Sequence, residues 1–470
     1  MLFNSLDFAI FFPLVFIGYW FVFNKKLSVQ NLFLLVASYF FYACWDWRFL
    51  ALLGFSTLIN FYLAQLIAYA TQEKKKKALL VTVLLINLLL LGYFKYYGFF
   101  TQSFADAFSL FGVHFNVTSY SIILPLGISF YTFQNISYLV DVYRGKTAPS
   151  HNLLSFALFI AFFPQLIAGP IERTGHLMPQ ITERRVFVYK YAVNGMRLIL
   201  LGLFEKMVIA DNCAGIVNTV YNNFESHSGS TLFFAAVVYS FQIYGDFSGY
   251  SHIAIGCAAL LGFHLFHNFN YPYLAKNIAD FWRRWHISFS AWLRDYIYFP
   301  LGGSKKGNFV QMRNLTIVFV VSGIWHGANR TFIIYGFIHA LLYILFVYYR
   351  RWIDNGERST AIGDFAAMCG TFVALTLARV FFRAESVGDA LHYFERIFSA
   401  SLFTKPDMSR LFILLLFVFL FLEWLQREKK HLLDLSFIKQ AYIRYSIYLT
   451  IFFMILYYSG QSQTFIYFQF

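Results

Sequence analysis

The chain has 470 residues, of which 59% are hydrophobic, 22% aromatic and only 13% charged. A soluble domain usually carries about a quarter charged residues, so this composition excludes an ordinary soluble globular protein. Apolar stretches recur from end to end, and many are close to the ~20 residues that span a bilayer. The sequence therefore predicts an all-α, multi-pass membrane protein embedded in the lipid bilayer.

The formal net charge of +14 raises the question of a nucleic-acid partner. The basic residues, however, occupy short loops between apolar segments, at 24–26, 72–77 and 144–146. The intervening segment 101–119 has no Lys or Arg. Cytoplasmic loops carry the excess of positive charge in membrane proteins. We therefore expect no nucleic-acid partner, and an N-terminus on the non-cytoplasmic, periplasmic side of the inner membrane.

The apolar segments predict about 11 to 13 helices, some of them short or re-entrant. In chain order they are 7–23, 29–45, 49–70, 78–100, 120–140, 153–170, 231–262, 314–327, 331–349, 362–382, 409–426 and 442–459. No basic residue precedes the first segment and it lacks a small-residue cleavage site, so it is predicted to be a retained helix rather than a signal peptide. Segment 187–210 mixes charges into an apolar pattern, which favours an interfacial position or the lining of a polar interior. We expect one membrane domain over 1–470, with N-terminal helices to 119, a catalytic core at about 120–350, and C-terminal helices from 351.

Residues 270–313 are too polar to span the membrane as one helix. They contain seven basic residues, namely Lys276, Arg283, Arg284, Arg294, Lys305, Lys306 and Arg313. Apolar and charged residues alternate at helical spacing from Asp280 to Tyr298, which predicts an amphipathic helix at the membrane surface. The following Pro-Leu-Gly-Gly predicts its end.

Histidines and acidic residues inside apolar segments are the natural candidates for a functional site, because their desolvation must be compensated. His326 closes the apolar run before Gly327, and His286 resembles it because each directly follows a tryptophan. A packing role is the alternative for either. A neutral imidazole is a competent general base near pH 7. Ser322 lies one helical turn before His326, so a Ser–His pair is geometrically possible, although a packing serine is the commoner case.

Other catalytic chemistries lack their motifs. The four cysteines show no CxxC spacing, and no metal-ligand pattern, nucleophile elbow, HExxH or Walker loop is present. We therefore expect no metal and no bound cofactor.

Several ordered motifs resemble those of the membrane-bound O-acyltransferase superfamily, and within it the alginate O-acetyltransferase branch. They are LPLGISFYTFQNISYLVDVYRG (124–145), FFPQLIAGPIER (162–173), YGDFSGYSHIAIG (244–256), NFNYPYLAKNIADFWRRWHISFSAWLRDYIYFPLGGS (268–304), SGIWHG (322–327), FFRAES (381–386) and FIYFQF (465–470). The resemblance implies a ring of tilted helices around a central funnel or tunnel. It also implies that His326 is the essential catalytic residue and His286 the second.

The resemblance further implies an acyl donor that approaches from the cytoplasm, acetyl-CoA or an acyl-carrier thioester, and an acceptor hydroxyl at the outer face. Expected partners are a periplasmic SGNH-type acetyltransferase and polysaccharide export machinery. Residues expected to bind substrate or donor are Trp325, Trp285, Arg283, Arg284, Arg294, Asp246, Ser322 and Arg330. The turn Asn329-Arg330-Thr331 departs from the branch, which usually continues with an aromatic residue, Asn and Phe. Arg330 is either a donor-phosphate contact or a charge at a helix end.

Acceptors other than an alginate-like polymer remain open, because the peptidoglycan, cellulose and teichoic acid branches share these motifs. The FW..WH block occurs in teichoic acid D-alanylation proteins, whereas the DYIYFPLGG continuation favours the alginate-like branch. A proton-coupled transporter is a further alternative, although the chain shows no internal symmetry of the kind found in transporters. A structural scaffold of an export complex is another, and it would not need its histidines.

Overall fold

The computed structural model describes residues 1–109, 111–112, 122–352, 360–458 and 463–466. These residues contain helices, turns and loops but no β-strand. Six helices in the described ranges have at least 18 residues and are apolar enough to cross a membrane. They are Leu27–Asp46, Phe49–Tyr69, Glu73–Ser109, Arg330–Trp352, Ala361–Arg383 and Ala441–Tyr458. The prediction of an all-α, multi-pass membrane protein is confirmed.

The first of two compact units contains residues 1–196 and 254–266. Its helices are α1 (Leu6–Ile17), α2 (Leu27–Asp46), α3 (Phe49–Tyr69), α4 (Glu73–Ser109), α5 (Ile128–Tyr143), α6 (Leu153–Ala161), α7 (Phe163–Leu166) and α8 (Thr174–Thr182). Arg185 ties this unit together, because its Nη2 donates to Gln30 Oε1 at 3.0 Å and to Asn31 Oδ1 at 2.6 Å. The buried charge is thus hydrogen-bonded, as buried polar groups generally are.

The second unit contains residues 197–253 and 267–470. Its helices are α10 (Asp211–Asn222), α12 (Ile278–Arg284), α13 (Ile287–Leu293), α14 (Asn308–His326), α15 (Arg330–Trp352), α16 (Ala361–Arg383), α17 (Val387–Ile397), α18 (Arg410–Leu425) and α19 (Ala441–Tyr458). Helices α9 (Tyr189–Leu203) and α11 (Gly229–Leu260) contribute residues to both units. All residues predicted for the functional site belong to this second unit.

Two sequence predictions are wrong in detail. Residues 101–109, expected in an outer loop, continue helix α4, whereas residues 110 and 113–121 lie outside the described ranges. The single amphipathic helix expected over 280–298 is broken into α12 and α13. The break occurs because His286 adopts a left-handed backbone conformation, with φ 43°, which no continuous right-handed helix can contain.

The C-terminal part of the mixed segment 187–210 is buried and holds charged residues, whereas its first residues, 187–191, are exposed. Helix α9 widens into a π-helical stretch, Phe204–Ala210. Glu205 and Lys206 within it are buried. Lys206 Nζ lies 2.8 Å from Asp211 Oδ1 and 2.7 Å from Asp246 Oδ1, so the buried charge has two ion-pair partners.

Helices α14 and α15 form a hairpin whose backbones touch. A Cβ atom at Gly323 would overlap the carbonyl oxygen of Phe332, and one at Gly336 would overlap the carbonyl oxygen of Phe319. Small residues allow such close approach between membrane helices. His326 is the last residue of α14. Its position is therefore set by a backbone contact rather than by side chains that can repack.

Candidate active site

His326 lies at the end of α14 among aromatic rings. Its imidazole is buried, with centroid distances of 4.8 Å to Trp325, 5.0 Å to Phe382 and 6.2 Å to Tyr335. These rings come from three helices, α14, α15 and α16. A polar group in such a dry environment interacts more strongly with other charges than it would in water.

His286 occupies the break between α12 and α13 and is 1% exposed. Its ring lies 4.6 Å from Phe247, 4.9 Å from Phe289 and 5.7 Å from Trp325, measured between centroids. Neither ring nitrogen has a hydrogen-bond partner among the described residues. A non-glycine residue in the left-handed region costs about 1–3 kcal/mol, and such strain is concentrated at functional sites.

The two histidines share an aromatic wall. Phe289 and Trp325 stack at 4.3 Å, and each of them contacts both imidazoles. The two histidines are 40 positions apart in the sequence. The fold of the second unit therefore brings them together in one buried cluster, which we call the histidine cluster (His286, Phe289, Trp325 and His326).

A family model described as "MBOAT, membrane-bound O-acyltransferase family" matches residues 147–382, half of the chain, and this range includes the whole cluster. The chain belongs to the membrane-bound O-acyltransferase family. The recognition made from the sequence motifs is thereby confirmed, and the chain is an O-acyltransferase of the membrane.

Three relatives are similar to this chain over different shares of its length. The probable alginate O-acetylase of Pseudomonas aeruginosa is 37% identical over 87% of this chain and 77% of its own length. The peptidoglycan O-acetyltransferase of Helicobacter pylori is also 37% identical, over 83% of this chain and 78% of its own length. The teichoic acid D-alanyltransferase of Bacillus subtilis is 32% identical over 50% of this chain and 61% of its own length.

Asp246 of this O-acyltransferase lies beside the cluster rather than in it. Its carboxylate pairs with Lys206 and accepts a hydrogen bond from the backbone N–H of Ile466 at 2.7 Å. The next residue along the chain, Phe247, packs on the ring of His286. Asp246 therefore helps to hold helix α11 and the segment 463–466 around the site. Its predicted contact with substrate stays a prediction.

A buried glutamate–histidine pair, Glu205 and His252, is separate from the cluster. Glu205 Oε2 accepts a hydrogen bond from Ser248 Oγ at 2.9 Å and lies 2.8 Å from His252 Nδ1. No ring contact, ion pair or hydrogen bond joins Glu205 or His252 to His286 or His326 among the described residues. We therefore assign this pair to the packing of α9 against α11.

The predicted donor-binding arginines of the O-acyltransferase lie outside the histidine cluster. Arg283 is exposed, Arg284 Nε donates to Asp280 Oδ1 at 3.0 Å, and Arg294 Nε donates to Asp295 Oδ1 at 2.8 Å. Arg330 is exposed at the first position of α15. A role in attracting an anionic donor to the surface stays a prediction for these residues.

Ser322 and Trp285, two further residues expected to bind substrate or donor, are both buried. The Ser322 hydroxyl is buried one helical turn before His326, and its pairing with that histidine stays a prediction. Trp285 is packed among Phe269, Phe281 and Tyr273. It thereby fixes the chain immediately before His286.

The turn after the histidine, where the chain departs from its branch, caps α15. The side chain of Asn329 accepts a hydrogen bond from the Thr331 N–H at 3.1 Å and donates to the Glu385 carbonyl at 2.8 Å. Asn329 thus has a capping role that the sequence reading did not assign to it.

Arg379 on α16 was missed by the sequence analysis. It lies inside an apolar span and is 2% exposed. Its guanidinium carbon lies 5.1 Å from the ring centre of Tyr273 and 5.2 Å from that of Trp285. An arginine near the end of a membrane helix commonly reaches the interface, which is why its sequence gave no signal of burial.

Replacing His286 with asparagine separates its backbone role from its chemical role. Asparagine tolerates the left-handed conformation, so His286→Asn should fold at wild-type yield. Loss of the imidazole should lower acyl transfer by at least about tenfold. The measurement is the amount of ester product in cells, divided by the amount of folded protein recovered in detergent. Unchanged transfer in this variant would show that His286 serves only the chain reversal.

Proposed function

We propose that this O-acyltransferase moves an acetyl group from a cytosolic thioester donor across the inner membrane to hydroxyls of an exported, alginate-like polysaccharide. Transfer passes through a periplasmic SGNH-type partner, and the N-terminus of the chain is periplasmic. The observation that carries the proposal is the histidine cluster, which places two buried imidazoles on one aromatic wall. A buried aromatic site of this kind excludes the water that would otherwise hydrolyse a thioester.

The chemistry of transfer requires a base at the acceptor hydroxyl. His326 takes the hydroxyl proton while the oxygen attacks the carbonyl carbon of the acetyl group. The carbonyl oxygen becomes an oxyanion, the C–S bond then breaks, and the thiolate leaves with the proton returned by the imidazolium. His286 contacts Phe289 and Trp325 as well, and it supplies the second imidazole of the site.

The names of the relatives support an acetyl group and a polymer acceptor. An alginate O-acetylase and a peptidoglycan O-acetyltransferase match this chain at the same 37% identity. The equal identity makes peptidoglycan the second candidate acceptor. The basic residues between 276 and 313, of which Lys305 and Lys306 are exposed, suit a phosphate-bearing donor on the cytoplasmic side.

The acceptor and the acetyl group are tested together by comparing glycans from cells with and without the gene. Base-labile acetate should be present on an exported or surface polymer only when the chain is expressed. Polymer fractions separated before alkaline release distinguish a secreted polysaccharide from peptidoglycan. Equal acetate in every fraction of the two strains would contradict the proposal, and D-alanine in place of acetate would redirect it to teichoic acid.

A further inference from the structure

Arg379 is a buried cation with no ion-pair partner in the described part of the chain. It is 2% exposed, and no carboxylate of a described residue forms an ion pair with it. Its two terminal nitrogens, Nη1 and Nη2, have no hydrogen-bond partner among the described residues. An isolated charge in a dry interior is costly unless something compensates it.

The faces of three aromatic rings compensate the charge only in part. The guanidinium carbon lies 5.1 Å from the ring centre of Tyr273, 5.2 Å from Trp285 and 5.6 Å from Phe281. Aromatic faces attract a guanidinium but accept none of its five N–H bonds in the plane. The aromatic cage therefore fixes the position of Arg379 and leaves its donors available.

Arg379 lies between the elements that carry the two histidines. One of its cage residues, Trp285, directly precedes His286 in the chain. Phe382, three residues further along α16 and hence on the same helix face, packs on His326 at 5.0 Å. The ring of Tyr335 contacts both Phe382, at 5.1 Å, and His326, at 6.2 Å.

A candidate for a structural counter-ion is the buried Glu423 on α18. Its Oε1 accepts a hydrogen bond from the Tyr244 hydroxyl at 2.5 Å, and the Tyr244 ring packs on Tyr273 at 5.1 Å. One layer of tyrosines therefore separates Glu423 from Arg379. The carboxylate makes no ion pair with the guanidinium.

We propose that Arg379 binds an anionic oxygen of the acyl donor during transfer, an inference that rests on the proposed function. The oxygen comes either from the thioester carbonyl or from a phosphate of a nucleotide-bearing donor. In the first case, attack by the acceptor hydroxyl moves the carbonyl π electrons onto oxygen, and Arg379 binds that oxyanion. The electrons return when the C–S bond breaks, and the leaving thiolate takes the proton held by His326.

The test removes the charge while keeping an unbranched side chain at this position. Arg379→Met and Arg379→Gln should lower polymer acetate about 10²–10³-fold, the usual effect of removing an oxyanion donor. Arg379→Lys keeps the charge and should retain intermediate activity. The matched control is Arg383→Met on the same helix, where the arginine bonds Asn218 Oδ1 at 3.2 Å and stacks on Tyr221. It should stay within about threefold of wild type, as substitutions away from the chemistry do.

Thermal unfolding of the full chain in detergent separates this role from a structural one. Removal of a lone buried charge is often neutral or stabilising, so Arg379→Met should melt no lower than wild type. The inference is overturned if the Met and Gln variants keep acetylation within about threefold. It is also overturned if the double variant Arg379→Met, Glu423→Gln regains the acetylation that Arg379→Met has lost. Arg379 would then serve only to balance the charge of that carboxylate.

His326→Ala, measured beside these variants, tells the two hypotheses apart. If it retains acetylation, the proposed function fails; if it alone loses acetylation, only the role of Arg379 fails. The source of the oxygen follows from kcat and KM in membranes with acetyl-CoA and with the phosphate-free thioester S-acetyl-N-acetylcysteamine. A kcat loss with both donors identifies the oxyanion, whereas a raised KM confined to acetyl-CoA identifies a phosphate.

Discussion

Replacing His326 with alanine is expected to abolish acetylation of the polymer and leave the protein folded in the membrane. The imidazole can take a proton from an attacking hydroxyl, whereas the neighbouring side chains Trp325, Tyr335 and Phe382 are aromatic rings that offer no base near pH 7. General base catalysis contributes about 10²–10⁴-fold, so base-labile acetate should fall by at least that factor. His326→Gln, which keeps hydrogen-bonding capacity without basicity, should be equally inactive.

The control for His326→Ala is His392→Ala, which removes an exposed histidine on α17. It should leave both acetate and protein yield unchanged. Thermal unfolding of the purified variants shows whether loss of the buried ring has cost stability as well as activity. Wild-type acetate in folded His326→Ala would exclude this residue as the base and return it to a packing role.

The second large effect is expected at Gly323 and Gly336, the glycines at which the backbones of α14 and α15 touch. Gly323→Val and Gly336→Val would place side chains on the backbone carbonyls of Phe332 and Phe319, which cannot move aside as a flexible side chain can. The helices must separate, and overpacking of this kind costs about 1–3 kcal/mol or more. Because a shift of ~1 Å in a catalytic group lowers rates about 10²-fold, activity should fall further than stability.

Alanine at the same positions gives a graded version of this experiment, and Gly370→Ala is its control. Gly370 lies on the neighbouring helix α16, and a Cβ atom there would meet nothing within 4 Å. Gly323→Ala and Gly336→Ala should lower both the melting temperature and polymer acetate, whereas Gly370→Ala should change neither. Normal activity in both Gly323→Ala and Gly336→Ala would mean that His326 is positioned by other contacts.

The sequence located both histidines but could not bring them together. Each was visible as a Trp-His pair, and the ordered motifs identified the family. Their shared wall depends on the break at His286, where the alternation of apolar and charged residues instead predicted one continuous helix. Periodicity reports which face a residue occupies, but it does not report a single residue with φ 43°. The left-handed turn is set by tertiary packing, which local pattern does not contain.

Arg379 shows a different limit of sequence reasoning. Hydropathy identified its helix correctly, but arginines at the ends of membrane helices usually reach water, so nothing in the sequence indicated that this one is buried. Only the aromatic residues at 273, 281 and 285, from another part of the chain, reveal that Arg379 is buried. A composite site of this kind is invisible to any pattern read along one helix.

The close backbone contact between α14 and α15 also indicates where substitutions can be introduced. Gly323 and Gly336 admit no added methyl group without displacing a backbone carbonyl, so variation at these two positions should disturb the hairpin. In the turn beyond it, Arg330 is exposed and Ala328 partly buried, whereas Asn329 caps α15 and Thr331 is fully buried. Libraries intended to change the acceptor should therefore randomise Ala328 and Arg330, leaving Asn329, Thr331 and the hairpin unchanged.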